Sequence, residues 1–237
     1  MAKSTERSTS GRRPATGRRS GPAPESPGSP FSPAPVTEAG RPELPAYVSN
    51  GLIGLRVLDI PILPGLCMVS GSVGKHPIIG IEASANPPYP LAGDIAINRV
   101  FLAIVPQQAE FVSQAYDFGC GELTSRFRFH ADGVTADVEV LTFCSRDRPT
   151  LAVQELSVRV DAPCELTLRA LIEPYRVRGT VTAKTLDQPG FHGDRIDGYL
   201  LWSALGNLSQ VGYALTTELV GDPGAERRVK NWGENSP

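Results

Sequence analysis

Asp132-Gly133 divides two runs of alternating apolar and polar residues, and no other feature of the chain constrains its fold as tightly. In Glu122–His130, Leu123, Phe127 and Phe129 fall on one face, and Thr124, Arg126, Arg128 and His130 on the other. A period of two is the signature of a half-buried strand, whose successive side chains point to opposite sides. A two-residue type I′ turn needs positive φ at both central positions, which Asp-Gly accepts. With that dipeptide as the loop, Arg128 opposes Asp137 and Arg126 opposes Glu139 on the wet face. Phe129 then meets Ala136 and Phe127 meets Val138 on the dry one. Each such pair contributes about 0.2–1 kcal/mol. A slip of one residue would forfeit both sets at once.

The rest of the chain reads the same way. With 24 Gly and 22 Pro, long helices have little room, and short strands joined by turns are favoured. Strand candidates are Gly51–Val57 after the Ser49-Asn50 turn, Leu66–Val69, Leu151–Val160, Cys164–Ile172, Gly198–Ala204 and Val211–Val220. Ile78–Ile81 is a further short apolar run, set off by the turn-rich stretch Gly71–Pro77. In Cys164–Ile172 the alternation points Leu166, Leu168, Ala170 and Ile172 inward. Asn86–Pro90 is too rich in proline for anything but a loop. Arg99–Val105 is apolar throughout, either a strand buried on both faces or a short amphipathic helix. No repeat of fixed period is visible and no amphipathic helix is convincing. The fold class is all-β, a large antiparallel β-sandwich.

The ends differ from the middle. Residues 1–42 are Ser, Pro, Gly, Thr and Arg with Phe31 as the only aromatic, a composition that cannot offset the entropy of ordering and reads as a disordered tail. Its first twenty residues carry Lys3, Arg7, Arg12, Arg13, Arg18 and Arg19 against Glu6, a basic stretch that is either solvated or drawn to acidic surfaces. Residues 43–220 form the sandwich domain, and 221–237 a polar C-terminal tail. A net charge of -2 gives the whole chain no electrostatic reason to seek nucleic acid. No run approaches the length needed to span a bilayer, and the amino terminus lacks the apolar core of a secretory signal. Cys67, Cys120, Cys144 and Cys164 are widely spaced, with no CxxC pair, and read as reduced thiols serving as small core hydrophobes in a cytoplasmic protein.

Three stretches carry a resemblance to a known family. Leu44-Pro45-Ala46-Tyr47-Val48-Ser49-Asn50-Gly51-Leu52-Ile53-Gly54-Leu55-Arg56-Val57 resembles the opening of glycoside hydrolase family 65 proteins, among them maltose, trehalose and kojibiose phosphorylases and glucosylgalactosyl-hydroxylysine glucosidases. Tyr116–Arg126 looks like that domain's strand with a polar-aromatic start and a Gly-x-Leu-x-x-Arg-like pattern. Phe143-Cys144-Ser145-Arg146, leading into Pro149-Thr150-Leu151-Ala152, is similar to the segment between two of its long antiparallel strands. The order and spacing of the three matter more than any one of them. The resemblance implies a galactose-mutarotase-like super-sandwich ahead of an (α/α)6 barrel, the barrel holding the catalytic glutamate. Nothing in this sequence corresponds to the barrel, so the expected function is that of an inactive sandwich half. It would meet α-glucosides only through the complete enzyme, paired with a separate catalytic-barrel chain or as a homodimer. A domain that normally packs on a barrel would expose an apolar interface when alone. The alternatives are a stand-alone carbohydrate-binding module and a scaffold whose basic tail recruits an acidic partner.

The residues themselves supply no complete chemistry, and no catalytic, cofactor-binding or metal-binding residue is assigned. Glycoside hydrolysis needs two carboxyl groups flanking the scissile bond, one of them protonated. Asp117 and Glu122, bracketing Gly119-Cys120-Gly121, are the nearest approach, and paired acids are common on solvated strand edges. Asp94 is no stronger a candidate. His76, His130 and His192 lack metal-ligand spacing. His130 belongs to the charged face of the hairpin, and His192 lies in the loop Gln188–Asp194, where sugar contact is conceivable. Gly71-Ser72-Val73-Gly74-Lys75 lacks the spacing of a phosphate loop and reads as a turn. Tyr199 and Trp202 suit sugar stacking by chemistry but sit in a strand-like run where core packing is the commoner fate. Asn207-Leu208-Ser209 fits a glycosylation sequon but has no secretory signal to give it meaning.

Overall fold

The Asp132-Gly133 turn forms with the register that its alternation dictates. The structure is a computed structural model that describes residues 34–36, 46–173, 177–186 and 198–220. In chain order its strands are β1 (Ala34–Val36), β2 (Ala46–Ser49), β3 (Ile53–Val57), β4 (Leu66–Val69), β5 (Val73–Lys75), β6 (Glu82–Ser84), β7 (Tyr89–Ile97) and β8 (Val100–Phe101). There follow β9 (Ala109–Asp117), β10 (Glu122–Ala131), β11 (Val134–Cys144), β12 (Ala152–Val160), β13 (Leu166–Glu173), β14 (Gly179–Leu186), β15 (Gly198–Ala204) and β16 (Gln210–Leu215). A single turn of 3-10 helix at Pro106–Gln108 precedes β9. The chain is an all-β sandwich of antiparallel sheets. The largest sheet has the order β1-β9-β10-β11-β12, accompanied by β13-β7-β8, β14-β15-β16, β2-β3-β4 and the pair β5-β6.

Between β10 and β11, Arg128 opposes Asp137, Arg126 opposes Glu139, Phe129 opposes Ala136 and Phe127 opposes Val138. Asp132 and Gly133 take φ of 49° and 74°. Arg126 Nε donates to Glu139 Oε2 at 2.6 Å and Arg128 Nε to Asp137 Oδ1 at 3.0 Å. These pairs are solvated and add little stability. The dry face carries the energy. Phe127, Phe129, Ala136, Val138 and Val140 are buried against Ile95 and Ile97 of β7, with Ile62 and Leu102 closing the cluster. A second cluster joins Val48, Leu55, Val57, Cys67, Tyr89, Leu123 and Cys144. A third gathers Leu200, Trp202 and Ala204 of β15 with Ile172, Val177 and Val181.

Several segments depart from their sequence reading, each for a local reason. Asn86–Pro90 is not all loop, because β7 begins at Tyr89 and contains Pro90. Proline lacks the N–H that a ladder needs, and it is accommodated where the β13–β7 register shifts between Leu171 and Glu173. Arg99–Val105 yields only the two-residue β8. Asn98 and Arg99 form a tight hairpin turn with φ of 48° and 70°, joining β7 to β8 through the pairs Ala96–Phe101 and Ile97–Val100. Arginine is a poor sequence signal for such a turn, but Asn98 is held on three sides. Its Nδ2 donates to Asp132 Oδ2 at 2.5 Å, its Oδ1 accepts from Glu165 N–H at 2.9 Å, and its own N–H donates to Glu165 O at 2.9 Å.

Ile78–Ile81 is the loop between β5 and β6, leaving Ile78 83% exposed. His76 organises it, donating its backbone N–H to Ile81 O and accepting from Gly80 N–H. Local backbone satisfaction therefore wins over apolar character. In β13, Leu166 and Leu168 lie opposite Ile97 and Ile95, yet each stays 38% exposed. Ala170 is exposed as well, whereas Leu171 of the alternate face packs on the second cluster. The inward reading of Leu166, Leu168 and Ala170 is therefore corrected: no second layer covers that face of this edge strand. β16 ends at Leu215 rather than at Val220. β1, which falls inside the stretch read as tail, pairs with β9 and covers its outer edge. Residues 1–33, the Gln188–Asp194 loop with His192, and residues 221–237 lie outside the described residues.

Candidate functional site

The three stretches that carry the family resemblance come together in space. Val48 and Leu55 from the first, Leu123 from the second and Cys144 from the third are buried in the second cluster, with Tyr116 and Ala152 packed on it. Asn50 ties the first stretch to the third. Its Nδ2 donates to Ser145 O at 2.6 Å and to Pro149 O at 2.9 Å. Its Oδ1 accepts from the N–H groups of Leu52 and Ile53, at 3.0 and 2.9 Å. The side chain whose oxygen makes the β2–β3 turn thus clamps the β11–β12 connection with its nitrogen. The Cys144 thiol lies 3.8 Å from Val48 O, completing the contact. This junction holds sheets together and presents no reacting group.

The candidate carboxylates separate on physical grounds. Asp117 and Glu122 oppose each other across the β9–β10 turn. Asp117 Oδ1 accepts from Gly119 N–H at 2.7 Å. That bond, with help from Cys120, holds its carboxyl below the usual range. A general acid needs the reverse, and the bond to Gly119 gives Asp117 the task of capping the turn. Asp94 is buried, and burial raises its pKa despite bonds from the N–H groups of Ile95 and Ala103 at 3.0 and 3.1 Å. Those bonds fasten β7 to the turn after β8, which is a structural task.

The raised pKa of Asp94 has a consequence for stability. A carboxyl that is harder to ionise in the folded than in the unfolded state weakens folding wherever it is charged. Asp94→Asn keeps the Oδ1 acceptor and removes the charge, so it should unfold at higher denaturant than the parent near neutral pH. The advantage shrinks as pH falls through the raised folded-state value and is gone below about pH 4, where both states are protonated. Urea titrations across pH test this, and a less stable Asp94→Asn at neutral pH would contradict it.

Other singled-out residues resolve individually. His130 remains solvated, with Nδ1 3.1 Å from Thr135 Oγ1 and Nε2 3.7 Å from Glu110 Oε2. Trp202 is fully buried while Tyr199 is 47% exposed. Three residues apart on one strand, they point to opposite faces and cannot form a common stacking platform. Gly71 takes φ of 81° in a turn, whereas Val73–Lys75 continues as β5. The four cysteines are free, with Cys67 and Cys144 buried and Cys120 exposed. Burial pushes the Cys67 thiol up to about 12 and Cys144 to about 11, which keeps both protonated and inert. Among the described residues no three His, Cys, Asp or Glu side chains are grouped to hold a metal ion. No helix there is long and apolar enough to cross a membrane.

Sequence reading did not anticipate a cleft of about 330 Å³ between the β5–β6 hairpin, the start of β7 and the segment before β14. Lys75, His76, Asn86, Tyr89 and Arg178 contribute its polar side, and no carboxylate is among the described residues that line it. The lining residues come from five separate parts of the chain, so no local spacing marks them. No family model matches the chain, and no curated protein matches it.

Proposed function

We propose that this chain is a non-catalytic β-sandwich domain of the family 65 glycoside hydrolase and phosphorylase type, of galactose-mutarotase-like architecture. It serves an (α/α)6 barrel that acts on α-glucosides. One observation carries the reading. The three stretches that resemble the family, scattered over more than a hundred residues, form one packed and hydrogen-bonded junction through Asn50. That segments resembling one family's scaffold pack as a single buried junction supports a structural role for them. Its carboxylates support a structural role, since Asp117 is tuned away from acid catalysis and Asp94 is engaged by backbone N–H groups.

The purified 237-residue chain should show no turnover of maltose, kojibiose or trehalose, with or without phosphate. Placed ahead of a family 65 barrel that lacks its own sandwich, it should restore a folded, active enzyme. Turnover by the chain alone would overturn the non-catalytic role. Failure of the fusion to yield soluble, active barrel would overturn the family placement.

A further inference from the structure

We propose that the cleft between the β5–β6 hairpin and the segment before β14 is a binding site for a small phosphate monoester of monosaccharide size. Two permanent cations, Lys75 and Arg178, line it without a carboxylate among the lining residues. Neither makes an ion pair among the described residues. Lys75 stands opposite Glu82 in the β5–β6 ladder without forming an ion pair with it. Together with Arg178 it gives the concavity two cations that attract an anion, the guanidinium in particular matching the fork of phosphate oxygens.

Lys75 is held at its backbone and along its stem. The Lys75 backbone N–H donates to Leu205 O at 2.7 Å. Its stem lies over Gly206, where an added Cβ would come 2.7 Å from Lys75 Cγ. Gly206 has φ of +83°, so the turn that makes room for the lysine also excludes most side chains. His76 Nδ1 accepts from the N–H groups of Ile78 and Ile79, at 3.3 and 3.4 Å. With Nδ1 engaged in this way, Nε2 is the ring nitrogen left to donate.

The remaining lining suits the hydroxyl-bearing part of such a ligand. Asn86 offers both donor and acceptor. Tyr89 is 2% exposed and packs in the second cluster, so it forms part of the cleft wall. Tyr213 Oη donates to Pro88 O at 2.8 Å, which steadies the cleft floor from β16. A volume of about 330 Å³ stands at the small end of ligand sites and is enough for one sugar ring with its phosphate.

This inference does not rest on the family reading. Ligand binding without barrel rescue, or barrel rescue without binding, would leave the other standing. Titration of the whole chain by calorimetry and amide NMR, with glucose 6-phosphate, glucose and inorganic phosphate as probes, tests it. The ester should bind with shifts at Lys75, Asn86 and Arg178, more tightly than either fragment, and weaken as salt is raised. Lys75→Gln and Arg178→Gln should each weaken it about tenfold, whereas Arg99→Gln, at a remote exposed turn, should not. Arg178 is exposed outside any strand, so its variant carries the test should Lys75→Gln melt early. Binding of glucose as tight as the ester, phosphate as tight as the ester, an unchanged affinity in Arg178→Gln, or no response at about 10 mM ester would each overturn the proposal.

Discussion

Phe127→Ala should lower the unfolding free energy by about 3–5 kcal/mol, the range for emptying a well-packed aromatic site. Phe127 is 1% exposed on the central strand pair of the largest sheet. It faces Val138 on one side and Phe111 on the other, where the β9–β10 register shifts. Its ring belongs to the cluster that bonds this sheet to β7. Strand hydrogen bonds pin both neighbours, so the walls cannot collapse into the space left behind. Domains of this kind are stable by about 5–15 kcal/mol in total, and the variant should melt far below the parent or fail to accumulate. Val112→Ala on β9, at a position 44% exposed, should cost less than about 0.5 kcal/mol. Urea unfolding followed by Trp202 fluorescence measures both. A loss below about 1 kcal/mol for Phe127→Ala would mean that the two layers are not held where described.

Gly65→Ala should be nearly as damaging, at about 3 kcal/mol, for the opposite reason. An added Cβ would stand 2.0 Å from Arg56 O and 3.1 Å from Tyr89 Cε2. The first obstacle is backbone of β3, which is paired on both sides by β2 and β4 and cannot retreat without breaking a ladder. The methyl group therefore drives apart β3 and the segment leading into β4. Gly212→Ala on β16 would meet nothing closer than 3.8 Å. It should be neutral within about 0.5 kcal/mol or slightly stabilising, since alanine loses less backbone freedom on folding. Equal midpoints for the two variants in thermal melts would remove the close approach at Gly65.

How much was legible beforehand depended on where each determinant lies along the chain. The β10–β11 hairpin was fully readable, because its turn, its charge pairs and its apolar pairs are all within 22 residues and agree with one another. The Asn98-Arg99 turn was not. Its positive φ at arginine is imposed by Asp132 and Glu165, residues that reach it only after β7, β11 and β13 are assembled. Ile78–Ile81 misled by composition, since a loop closed by His76 tolerates apolar residues that no second layer covers.

The candidate site divides along the same line. Alternation, turn chemistry and glycine and proline frequency determined by themselves that this chain builds antiparallel sheets, because those signals act between near neighbours. Neighbouring residues cannot reveal what lies above a strand. Whether Leu168 is covered, whether Pro90 meets a bulge, and whether Lys75 and Arg178 share one cleft were decided by packing between segments remote in sequence. Such contacts are selected by the free energy of the whole assembly, in which each costs chain entropy that only the finished core repays.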